Sequence, residues 1–120
     1  MEELNVPEFI LKVRFYQTVK GNEPVREWLR SLSPDYKKII GEEIKTVQYG
    51  WPLGMPLVRK LDRGLWEIRI QVKREIVRVI FTLCEGEMIL LHGFIKKSQK
   101  IPQEDLKTAV QRKKDIGKKL

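Results

Sequence analysis

Arg69 and Arg78 are the residues of this chain best suited to chemistry. Each interrupts a short run of otherwise apolar residues, Leu65-Trp66-Glu67-Ile68-Arg69 and Ile76-Val77-Arg78-Val79-Ile80-Phe81. Strand side chains alternate between faces, so Trp66, Ile68 and Ile70 share one side of the first run while Glu67 and Arg69 share the other. Val77, Val79, Phe81 and Leu83 likewise share a side of the second, and Arg78 points away from them. On adjacent strands the two guanidiniums come within reach of one phosphate. Arg59 and Lys60 precede the first run, and Lys96, Lys97 and Lys100 follow a third, Met88 to Ile95. The pattern predicts a small sheet with one apolar face and one cationic face, a surface suited to polyanions.

Other chemistries lack their parts. One His, one Cys and no clustered carboxylates do not build an ordinary zinc or two-metal site, and no Ser sits in a nucleophile turn. A Gly-rich phosphate loop is absent. No cofactor is implied. His92 lies among Leu90, Leu91 and Phe94 and reads as a satisfied structural histidine. Cys84 ends a strand-like run and reads as a buried, inert thiol, and a single cysteine excludes an internal disulfide framework.

RNA is the polyanion that such a cluster can act on without a metal, because its 2′-hydroxyl is a built-in nucleophile. The attack needs a base for the 2′ proton, cations for charge building on phosphorus, and an acid for the leaving 5′ oxygen. Arg69 and Arg78 serve as phosphate clamps, since guanidinium stays charged and grips phosphate through two parallel bonds. A lysine held among other cations has its pKa pushed down, so Lys97 or Lys60 is a candidate for proton exchange near neutral pH. Glu67, on the same side as Arg69, is either a base or the salt-bridge partner of that arginine. Arg59, Lys60, Lys96 and Lys100 are the candidate RNA-binding cations around them.

The elements that must position these residues can be read from periodicity. Leu11, Val13 and Phe15 alternate with Lys12 and Arg14 in a first strand from Ile10 to Tyr16. Pro24 suits a first helical turn, and Val25, Trp28, Leu29 and Leu32 then fall on one helical face. Ser33-Pro34-Asp35 starts a second helix whose stripe is Tyr36, Ile39, Ile40, Ile44 and Val47, and which stops at Gly50 and Pro52. Leu57 to Leu61 precedes the three runs described above, which turn at Asp62-Arg63-Gly64, Lys73-Arg74-Glu75 and Glu85-Gly86-Glu87. The third run is apolar at both parities, as in a strand covered on both faces. Pro102 opens a last helix with Leu106, Ala109, Val110 and the Lys113 stem together and Lys107, Arg112 and Lys114 elsewhere. The expected fold is α+β: an antiparallel sheet of four to five strands, with a helical hairpin from the N-terminal half and a C-terminal helix packed on one face.

At 120 residues the chain is read as a single domain, 1–120, with one modest core. No apolar run approaches a membrane span and the first residues lack a signal-peptide pattern, so a cytoplasmic location without membrane contact is expected. The net charge of +8 is unevenly placed. Residues 1–58 hold eight cations and eight anions, whereas residues 59–78 hold seven against three and residues 96–120 nine against three. Such segregation marks a nucleic-acid or acidic-partner footprint.

The same residues carry a family resemblance. Leu65-Trp66-Glu67-Ile68-Arg69, the Arg-Val-Ile-Phe at 78 to 81, and the Leu-Leu-His-Gly-Phe-Ile-Lys-Lys-Ser-Gln-Lys at 90 to 100 resemble the RelE/ParE toxin superfamily, and in particular its HigB-like, phage-derived branch. The resemblance implies a RelE-like fold and a type II toxin that cuts mRNA at the ribosomal A site. By motif, Arg69, Arg78 and Lys97 match basic positions that the family uses. Relatives that add a C-terminal Tyr or nearby His as acid or base differ from this chain, whose residues after Lys97 include neither. The implied partners are mRNA on the ribosome, ribosomal RNA and a small antitoxin with a helix-turn-helix domain. A ParE-like toxin that inhibits gyrase and a non-enzymatic nucleic-acid-binding relic are the alternatives. For the nuclease, replacing both Arg69 and Arg78 with Ala is expected to abolish growth arrest without unfolding the chain.

Overall fold

The computed structural model describes residues 10–96 and 100–119. In chain order they form β1 (Lys12–Phe15), α1 (Pro24–Ser31), α2 (Pro34–Gly50), β2 (Val58–Asp62), β3 (Leu65–Val72), β4 (Glu75–Cys84), β5 (Glu87–Lys96) and α3 (Gln103–Lys119). Both early helices begin at a proline, whose fixed φ fits the first turn and whose missing N–H costs nothing there. Val25 on α1 and Ile40, Ile44 and Val47 on α2 are the buried positions, at the helical spacing expected of one face.

The five strands form one mixed sheet in the order β1-β5-β4-β3-β2. β2 to β5 are successive antiparallel neighbours, and β1 joins parallel to β5. The hairpin turns are legible in the backbone: Glu85 and Gly86 take φ of 49° and 78°, the double left-handed geometry that matches the twist of a tight hairpin.

The sheet is covered on both faces, which corrects the expectation of helices on one face only. Ile68, Ile70, Val77, Val79, Phe81, Met88 and Leu90 meet α1 and α2 on one side. Leu65, Ile80, Ile89, Leu91 and Ala109 of α3 form a second apolar layer on the other. Arg69 and Arg78 belong to that second side, because they alternate with Ile68, Ile70, Val77 and Val79.

β5 carries an irregularity that shapes this second side. Phe81 faces Leu90 and Ile80 faces His92, so Leu91 is an extra, bulged residue. The bulge turns Leu91 and His92 together toward α3. Beyond it Gly93 lies opposite Val79, on the α1 side, where Trp28 packs directly on its backbone; a Cβ at Gly93 would stand 2.2 Å from the indole.

Candidate functional site

Three strands converge on Glu67. Register places Arg59 of β2 opposite Glu67 of β3, and Arg69 of β3 opposite Arg78 of β4. All four side chains project to the α3 side of the sheet, so alternation alone forces them together. Arg59 Nε lies 2.9 Å from Glu67 Oε1, Arg69 Nε lies 3.6 Å from the same oxygen, and Arg78 Nη1 lies 3.6 Å from Oε2. Three guanidiniums around one carboxylate leave an excess of two positive charges.

Exposure divides the cluster. The side chains of Glu67 and Arg78 are fully buried, that of Arg69 is 16% exposed and that of Arg59 36%. The expected open cationic face is therefore corrected: its centre is a sealed ion cluster, and only its β2 side meets solvent. Alternation reveals which side of a sheet a residue takes, not whether another layer covers it. Burial pushes the Glu67 carboxyl above its ordinary value, with Arg59, Arg78 and Arg69 pulling in the opposite direction. Burial likewise lowers Arg78, which Glu67 counters. Each buried charge favours the ionic form of the other, against the burial that disfavours both.

The remaining cations are distributed by the same geometry. Lys60 pairs with Trp66 and takes the α1/α2 face with Val58, so it is separated from Arg59 and from the cluster. Lys96 pairs with Ile76, which puts it on the cluster's side of the sheet near the end of β5. Lys96 and Lys100 are both exposed. Lys97 lies outside the described residues.

His92 is engaged by α3. Its Nε2 is 2.6 Å from Asp105 Oδ1, and Arg112 Nη1, which donates to the Leu91 carbonyl at 2.7 Å, lies 3.5 Å from Nδ1. Arg112 also stacks on the Tyr16 ring, whose hydroxyl donates to Asp115 Oδ2 at 2.9 Å. Asp105, Arg112 and Asp115 thus bind α3 to β5 and to Tyr16, the residue that follows β1. No sequence signal for these pairings exists beyond their placement on a helix that has to pack somewhere. Arg59, expected only as a peripheral RNA contact, is the closest partner of Glu67.

No helix among the described residues is long and apolar enough to cross a membrane. The sequence model of a family described as "Phage derived protein Gp49-like (DUF891)" matches residues 27–114. The matched span contains every member of the cluster and most of α3. A comparison with curated proteins finds no match.

Proposed function

The chain belongs to the phage-derived Gp49-like family, within the RelE/HigB-like toxin superfamily, and from this premise we propose that it is the toxin of a type II toxin–antitoxin pair that cuts mRNA on the ribosome. The observation that carries the reading is the Glu67 cluster: a preorganised excess of positive charge with Arg69 and Arg59 at its solvent edge. Phosphoryl chemistry is accelerated by cations fixed in advance where charge develops, since no reorganisation is then needed.

In this reading Arg69 and Arg59 hold the scissile phosphate. Arg78 and Glu67, sealed beneath them, are positioning residues that fix the direction of both guanidiniums. The 2′-oxygen attacks phosphorus and the bond to the 5′ oxygen breaks. The 2′ proton passes to a lysine amine, assigned to Lys97, and the departing 5′ oxygen takes a proton from a neighbouring lysine ammonium, Lys96 or Lys100. The products are a 2′,3′-cyclic phosphate and a 5′-hydroxyl end, so every proton and bond is balanced without a metal. A family antitoxin is the partner that restrains it, and mRNA and ribosomal RNA are its proposed targets.

Induction in a bacterial cell, with 5′-hydroxyl transcript ends mapped genome-wide, tests this. New ends inside translated frames at a fixed phase to codons, lost in Arg69→Ala, are the expected outcome. Growth arrest without new ends would overturn the nuclease reading and direct attention to gyrase.

A further inference from the structure

β2 and β3 differ in length at one end. β2 begins at Val58, opposite Ile68, whereas β3 continues to Val72. The Arg69 N–H donates to the Leu57 carbonyl at 2.7 Å, the last backbone bond on that side among the described residues. Peptide groups alternate in direction along a strand, so the Gln71 N–H and C=O also face the side where β2 has ended. A cavity of about 380 Å³ opens there, lined by Glu43, Pro56, Leu57, Arg69, Gln71 and Ile76. Its size lies within the range of about 300–1,000 Å³ that is usual for small-ligand clefts.

The lining has three chemical parts. Arg69 brings the solvent edge of the positive cluster into the cavity. Pro56, Leu57 and Ile76 are apolar surfaces against which a planar ring can lie. Glu43, half-buried on α2, supplies a carboxylate, and Gln71 supplies its amide oxygen, because its amide nitrogen already donates to the carbonyls of Lys73 and Glu75 at 2.9 and 3.2 Å. The side-chain acceptors therefore outnumber the neutral donors.

A carboxylate accepts two parallel N–H bonds. Among the four RNA bases only guanine offers two adjacent donors on its pairing edge, N1–H and the 2-amino group. Adenine and cytosine place an acceptor next to their amino group, and uracil flanks its single N–H with two acceptors. We propose that this cavity is a guanine subsite, with Glu43 reading N1–H and the 2-amino group while Arg69 holds the nucleotide's phosphate. The inference rests on the reading of Arg69 as an RNA contact and deepens it to base preference.

The test uses the purified full chain and no ribosome. It is titrated with 5′-GMP, 5′-IMP, 5′-AMP, 5′-UMP and inorganic phosphate, followed by NMR shifts of the Gln71 side-chain amide and the Leu57 amide. 5′-GMP is expected to bind about tenfold more tightly than 5′-UMP, with 5′-IMP, which lacks the 2-amino group, between them. Glu43→Gln should bring all four nucleotides to the same affinity without altering the unfolding midpoint, and Arg69 should still respond to phosphate. Equal binding by the wild-type chain, no shift at Gln71, or a guanine preference that survives Glu43→Gln would each overturn the subsite. Failure of the nuclease reading is separately visible: 5′-GMP preference without new transcript ends supports the subsite alone, and cutting without base preference at the same position removes it alone.

Discussion

Arg78 is a buried charge to which the proposed function gives a positioning role and no phosphate contact of its own. Its guanidinium is fully buried and faces Glu67 at 3.6 Å, and each of the two would be costly alone. Breaking a buried pair by removing one partner typically costs about 3–5 kcal/mol. Arg78→Ala is therefore expected to unfold at markedly lower urea concentration, an outcome opposite to the expectation that Arg69 and Arg78 can be removed together without harm to the fold. Arg69, at the solvent edge, should behave differently: Arg69→Ala loses growth arrest while costing about 1.5–3 kcal/mol, in the range of a contact to a charged group. Equal stability loss in the two variants would contradict this division. Tyr16 gives a second residue-level prediction. Burial, then its bond to Asp115, raises its pKa above the ordinary value near 10. The folded chain thus holds the phenolic proton more tightly than the unfolded one does. That contribution to stability is complete below about pH 10 and lost as pH rises through the folded value. Unfolding midpoints of Tyr16→Phe should fall less steeply than wild type above about pH 10, and parallel curves would exclude the linkage.

At the scale of elements, β5 is the member on which both layers depend. Gly93 admits the Trp28 ring from α1, and one residue earlier His92 fastens α3 through Asp105. Gly93→Ala puts a methyl 2.2 Å from a rigid indole, so the ring or the helix has to shift. A loss of about 1–3 kcal/mol is expected, read as a lower thermal midpoint, and restoration by Trp28→Leu in the same chain would show that the ring is the cause. The helix stripes of α1 and α2 and the turns at Lys73 and Glu85 were legible in the sequence because local periodicity and turn residues encode them directly. The both-parity apolarity of β5 correctly announced cover on two faces. The side taken by α3 was not legible, since Leu106, Ala109 and Val110 make a narrow stripe on a helix crowded with lysines, and its fastening pairs lie up to 99 residues apart in sequence. The parallel partnership of β1 with β5 is equally nonlocal, because alternation fixes a strand's faces and says nothing about its neighbour. For the same reason the sequence brought Arg69 and Arg78 to one side and left their burial unseen.

For the molecule as a whole, the net charge of +8 admits two readings that the fold separates. A diffuse positive field would attract RNA to any face, and each surface cation would then count about equally. A built site concentrates phosphate contacts on one face. Arg59, Arg69 and Lys96 lie on the cluster's side, whereas Lys60, adjacent in sequence to Arg59, is directed to the opposite face by strand alternation. Three phosphate contacts to a single strand release counterions with a log–log salt slope of about −2. Binding of a short unstructured RNA, measured across a salt series, should give that slope. Arg69→Ala and Lys96→Ala should each reduce it by about 0.7, while Lys60→Ala leaves it unchanged. Equal effects at Lys60 and Lys96 would mean that the field and not the site binds RNA. The contrast is sharp because Lys60 and Arg59 are neighbours in the chain with the same formal charge, so only the direction imposed by the sheet distinguishes them.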